Sequence, residues 1–158
     1  MNELNKNDIR QGYTNLKRII DFYINKHKIS YASGEKAPST YKDMVRHFNN
    51  TGVFNVYSGG DHGYLGQEYN IRFRAVHDYM HYTYNLTFNF EDEKKLSDLT
   101  AGVFRKIAWN DLNMTYWECY VISCIIEAEI RGQIEYYELN KKYVDNQAEF
   151  IDTYLKVG

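Results

Sequence analysis

The chain has 158 residues, with 19 Lys and Arg against 21 Asp and Glu and a formal net charge of -2. That length suits one domain with its own core, without metal or disulfide staples. The balanced charge excludes a protein that wraps polyanions through a basic excess, and 44% hydrophobic residues exclude disorder by composition.

In chain order, apolar residues at Ile9, Tyr13, Leu16, Ile20, Tyr23 and Ile24 recur at spacings of three and four, which predicts an amphipathic helix over residues 7–28. Asn7 or Asp8 is its expected N-cap, and the basic end at 26–28 suits the helix dipole. The stretch before it, residues 1–7, is polar and carries no apolar run of the signal-peptide kind. Residues 30–39 read as a polar connection holding Gly34 and the only proline, Pro38. Ser39 or Thr40 can cap a shorter helix through Tyr41, Met44, Val45 and Phe48, ended by Asn49, Asn50 and Gly52. Residues 53–57 (VFNVY) are the one strand-like run. A single short strand makes no sheet, so a lone extended segment or one arm of a small hairpin is expected there.

The glycine-rich loop 58–66 carries Asp61 and His62 but matches neither GxGxxG nor the P-loop pattern. Helical spacing resumes over 68–84, with Phe73, Val76, Met80 and Tyr84 on one face. After a short aromatic turn at 87–90, the acidic start Glu91, Asp92, Glu93 opens a helix carrying Leu96, Leu99, Val103 and Ile107. The longest helix is expected from about 112 to 137, with Trp117, Val121, Cys124 and Ala128 on one stripe, and a last helix over 145–155. The apolar run 121–126 is far too short to cross a bilayer. The fold class is therefore mainly α: a single compact domain, 1–158, of five or six helices, with one short extended or hairpin segment near 53–57.

Two features of composition bear on function. Cys119 and Cys124 lie five residues apart, about 140° round a helix, so they diverge and read as core thiols rather than a disulfide or a zinc knuckle. Sixteen tyrosines in one domain must sit at boundaries, hydrogen-bond in the core or face a partner, because the ring is apolar and its tip polar.

The densest chemistry is Phe73-Arg74-Ala75-Val76-His77-Asp78-Tyr79-Met80-His81. His77 and His81, spaced i,i+4, share a helix face within reach of one divalent ion, of which Zn, Fe or Mn suits imidazole and carboxylate ligands. Glu93 and Glu129 are the candidate further ligands, because each is a carboxylate beside apolar positions. Asp78, Glu129 and Gln133 are the candidates for proton transfer or ligand hydrogen bonding. The same spacing also suits a packed, hydrogen-bonded histidine pair. It is not HExxH, so the protease base is absent. A carboxylate after the first His is also the HD phosphohydrolase pattern, for which His47 and Asp111 stand in the required order. His81-Tyr82-Thr83 supplies only one of the two HxT elements of a two-histidine phosphoesterase, which excludes that mechanism.

The blocks Ser58-Gly59-Gly60-Asp61-His62, Asn70 to His81 (NIRFRAVHDYMH), Phe88 to Glu93, Glu129-Ile130-Arg131-Gly132-Gln133 and Gln147-Ala148, in this order, resemble a family of uncharacterised proteins encoded by tailed bacteriophages and related mobile elements. Its hallmark is an FRAVHD block followed by a second His, then E-x-R-G-Q. The resemblance covers residues 53–150; the N-terminal helix, 1–30, lies outside it. It implies a phage protein in the host cytoplasm or the virion, with a polar site at His77, Asp78, His81, Glu93, Glu129 and Gln133. Two functional expectations follow. One is a buried His/carboxylate site holding a divalent ion that supports metal-assisted hydrolysis. The other is a non-enzymatic virion, assembly or host-interaction protein, with other phage proteins or a second copy as partner. Neither nucleic-acid binding nor a membrane has a strong signal.

Overall fold

The computed structural model describes residues 3–158. Helix α1 (Lys6–His27) is entered through a capping box two to three residues before the expected cap. The Asn5 side chain accepts from Asp8 N, and the Asp8 carboxylate accepts from Asn5 N, so Asn5 is the cap and Asp8 sits in the first turn. Its apolar stripe buries Ile9, Tyr13, Leu16, Ile20 and Tyr23, and Lys28, in the left-handed region at φ 51°, ends it.

The region read as a polar connection holds a strand. β1 (Tyr31–Gly34) pairs in parallel with β2 (Phe54–Tyr57), Tyr31 opposite Phe54 and Gly34 opposite Tyr57. This corrects the expectation of a lone segment or a hairpin arm near 53–57. The physical reason lies between the strands: α2 (Tyr41–Thr51), capped by Thr40 and ended by Gly52, is the crossover that parallel pairing requires. Tyr31-Ala-Ser-Gly has no alternation that marks a strand; its ladder bonds form only because Phe54 and Val56 are buried beside it.

α3 (Gly66–Tyr84) and α4 (Phe90–Lys106) follow, and α4 closes in a π turn, Ile107–Asp111. Leu96 and Phe104 on α4 and Ile107 in the π turn are buried, whereas Leu99 is 40% exposed. The expected single helix over 112–137 starts later. α5 (Tyr116–Glu127) begins at a Thr115 capping box and passes through a second π turn, Ala128–Gly132, into α6 (Gln133–Asn140). α7 (Gln147–Tyr154), capped by Asn146, completes the chain.

The core lies where α5 packs between α1 and α4, with α3 against α1 and the strand pair. Gly12 brings α1 close to α5, for a Cβ there would fall 2.5 Å from Ile125 Cδ1 and 2.7 Å from Val121 Cγ1. Cys119 is buried and Cys124 half-buried, and both are free thiols. The result is one mainly α compact domain, and no described helix is long and apolar enough to cross a membrane.

Candidate metal centre

His77 and His81 lie one turn apart on α3, and the first turn of α4 brings Glu93 to them. The approach is set by the turn between the helices. Asp92 accepts from both the backbone N and Oγ1 of Thr87 at 2.8 Å, and Asn89 caps α4 through Asp92 N. His77 Nε2 stands 3.1 Å from Glu93 Oε1 and 3.0 Å from His81 Nε2, while His81 Nε2 stands 2.5 Å from Glu93 Oε1. Three ligand-type atoms thus form a closed triangle.

His81 is fully buried, and its Nδ1–H donates to the Leu86 carbonyl at 2.7 Å. A carbonyl only accepts, so this bond places a proton on Nδ1 and aims Nε2 at Glu93 and His77. Phe88 packs edge-on against His81, with ring centroids 4.7 Å apart. His77 is held less completely. Phe73 lies along its ring at 6.4 Å, and its buried Nδ1 has no partner among the described residues.

Burial alone would raise Glu93, but His77 and His81 outweigh it and hold its carboxyl down at about 2. Asp78, next to His77, behaves oppositely. Burial, with Glu93 adding to it and His81 opposing, pushes it up to about 7. Asp78 is half-buried and makes no hydrogen bond or ion pair among the described residues, which leaves its carboxyl unspent.

Glu129 goes elsewhere. It is not among the residues whose ligand atoms gather at the histidine pair, which are His77, His81 and Glu93. Its Oε1 accepts from Tyr13 Oη at 2.6 Å and from His62 Nε2 at 2.5 Å, and its Oε2 accepts from Gln133 Nε2 at 3.2 Å. His62 is buried, and its Nδ1 accepts from the backbone N–H groups of Tyr64 and Leu65 at 3.3 and 3.2 Å, so its one ring proton is on Nε2. The imidazole therefore has no free lone pair, and the cluster ties α1, the glycine-rich loop and the second π turn together. The expected four-ligand set of His77, His81, Glu93 and Glu129 divides into a triad and a separate buried network. Gln133 belongs to the network, one turn from Glu129. His47, half-buried on α2, and Asp111, exposed in the first π turn, do not join the triad either, so the HD pattern is not assembled.

Sequence reasoning missed His62 and Tyr13. A lone His among glycines carried no recognisable motif, and Tyr13 sits on a helix stripe where an aromatic ring reads as packing. The available signal was Glu129 itself, a carboxylate following Ile122 and Ile125 on one face, which needs buried donors from somewhere. Compared with known proteins, the chain matches no family model, no curated protein and no solved structure.

Proposed function

We propose that this chain is a small helical phage protein in which His77, His81 and Glu93 hold one divalent ion, Zn, Fe or Mn, at a centre for metal-assisted hydrolysis. The observation that carries this reading is the count of protons around the triangle. Its three edges join a carboxylate oxygen and two ring nitrogens at 2.5–3.1 Å. The two Nε2 atoms bring at most two protons, so one edge always holds two atoms with no hydrogen between them. A single cation at the centre satisfies all three edges at once. Ligands at the usual Zn–N and Zn–O lengths stand about 3.3 Å apart in a tetrahedron, so the two edges at His77 need to open by about 0.2–0.3 Å and the His81–Glu93 edge by about 0.8 Å.

Two imidazoles and a carboxylate suit a transition ion, and three protein ligands leave a fourth position open, as in catalytic rather than structural sites. When bound, the ion would supply Lewis-acid polarisation and activation of water. The chain's own groups supply the rest. His81 is oriented by Leu86, Glu93 stays ionised, and Asp78 is the nearby carboxyl left free to take a proton. The ordered likeness of the sequence blocks to tailed-phage proteins supports the phage origin. The test is metal analysis of protein purified without a His-tag, beside a His77→Ala/His81→Ala variant. About one equivalent of metal in the wild type and its loss in the variant is expected; equal and negligible metal in both overturns the reading.

A second reading, a non-enzymatic assembly or host-interaction protein, is favoured by exposed apolar groups: Tyr116 at 81%, Tyr143 at 77%, Trp109 at 58% and Leu139 at 84%. It predicts a stable oligomer in light scattering. A monomer at all concentrations counts against self-association.

A further inference from the structure

A groove of about 660 Å3 runs between α1 and the start of α7, with the end of the glycine-rich loop as its floor. It lies apart from the imidazole triad, since none of His77, His81 and Glu93 lines it. Small-molecule sites hold roughly 300–1,000 Å3, so a groove of this size admits a ligand larger than a simple ion. Its α1 wall is basic, because Lys6, Arg10 and Lys17 fall at i, i+4 and i+11 on one helix face. Its α7 wall is acidic, with Glu149 and Asp152 three residues apart.

The charges are spent at one end only. Lys6 Nζ donates to Asp152 Oδ2 at 2.6 Å and Tyr64 Oη donates to Asp152 Oδ1 at 2.7 Å, which occupies both oxygens and ties the two walls together. Tyr64 also stacks on the buried Tyr13, ring centroids 4.9 Å apart, which fixes the floor. Beyond this closed end, Arg10 and Glu149 stand on opposite walls. Both are exposed, and neither side chain makes an ion pair or a hydrogen bond among the described residues. Glu149 serves the α7 cap through its backbone N alone, bonded to Asn146 Oδ1. Lys17 Nζ lies over the Tyr69 ring, 5.4 Å from the centroid, and pairs with no carboxylate among the described residues. With Lys6 and Asp152 cancelling, the open end presents a cationic wall opposite one unspent carboxylate.

We propose that this groove binds a small organic anion that also carries hydroxyl or amine groups, its phosphate or carboxylate held by Arg10 and its donors by Glu149. A guanidinium fork matches two oxygens of either anionic group. Lys17, two turns further along the same face, extends the positive potential that draws the anion in. A carboxylate only accepts, so Glu149 selects a ligand body that donates and repels a bare anion. The proposal does not depend on a metal at the histidine triad.

The experiment is a titration of the full chain, 15N-labelled, with ribose 5-phosphate, with glutamate and with inorganic phosphate, each against chloride at matched ionic strength. The backbone amides of Gly63, Tyr64 and Ala148, which line the groove, report binding. Saturable shifts with ribose 5-phosphate or glutamate are expected, tighter than with inorganic phosphate, and the one that saturates at lower concentration assigns phosphate or carboxylate. Arg10→Gln changes an exposed side chain, so its spectrum should report an intact fold while affinity falls about tenfold or more. Glu149→Gln should narrow the preference for the organic anion over inorganic phosphate. Shifts no larger than in chloride, inorganic phosphate binding as tightly as the organic anions, an Arg10→Gln protein with wild-type affinity, or an unchanged preference in Glu149→Gln each overturn the proposal.

Discussion

Buried polar side chains here fall into two kinds, those whose hydrogen bonds are complete and those left with capacity to spare. Glu129 is complete. Tyr13, His62 and Gln133 donate to it, and both nitrogens of His62 are used. Such a network rigidifies a core and is costly to leave half-made. Tyr13→Phe therefore removes one donor from a buried carboxylate and should destabilise the protein by about 1–3 kcal/mol in urea unfolding. Combined with Glu129→Gln, the two costs should be non-additive by about 0.5 kcal/mol or more; simple additivity would show that the residues do not act as a unit. His77 belongs to the other kind, because its buried Nδ1 is unpaired among the described residues while its Nε2 faces Glu93 and His81.

Helix junctions decide where these residues go. Thr115 caps α5 in a capping box with Glu118, whose carboxylate also accepts from Asn15 on α1 at 2.9 Å. The Thr115 backbone N–H, then Asn15 and the Thr115 hydroxyl, hold Glu118 below its ordinary value of 4.5 against the opposing effect of burial. A depressed carboxyl contributes stability that is fully present above 4.5 and is lost as pH falls through the folded-state value. Glu118→Ala should thus cost about 1 kcal/mol at pH 7. Its deficit should shrink as both proteins are acidified below 4.5, measured by urea unfolding at stepped pH. An unchanged deficit at low pH would place its effect in packing instead. The α1–α5 contact carries a further prediction. Gly12→Ala drives a Cβ to within 2.5 Å of Ile125 Cδ1, which should cost about 1–3 kcal/mol through overpacking despite alanine's better helix propensity.

At the scale of the whole molecule, an ion held at the triad as proposed would join α3 to α4 only in the folded chain and so would stabilise it by mass action. At a hundredfold excess over the dissociation constant the gain is about 2.7 kcal/mol. For a domain of this size that corresponds to a melting temperature higher by roughly 5–10 °C. Zinc added to chelator-treated protein should produce this rise in the wild type and none in His77→Ala/His81→Ala. In contrast, Tyr116, exposed at 81% in the isolated chain, should tolerate Tyr116→Ala within about 0.5 kcal/mol. A larger loss of stability, with lowered mass in light scattering, would mark an interface that the isolated chain leaves open.

Much of this was legible in the sequence because helices are local. The stripe from Ile9 to Tyr23, the start of α4 after its aromatic turn and the i,i+4 placement of His77 and His81 all follow from a 3.6-residue period that a reader can count. What periodicity does not carry is which distant segment lies opposite. β1 became a strand because α2 returned β2 alongside it, and nothing within Tyr31-Ala-Ser-Gly announces that pairing. Glu93 and Glu129 looked equivalent as carboxylates near apolar positions, yet the turn held by Thr87 and Asp92 delivers Glu93 to the imidazoles, while Glu129 lies in a π turn. Such a turn adds a residue to the helix and rotates the faces beyond it by about 100°. The sequence by itself determined the helices and the histidine pair, through spacing along one chain segment. Only the tertiary structure decided that Glu93 joins the pair and that Glu129 bonds to His62 instead, because those meetings depend on crossover and turn geometry between segments far apart in the chain.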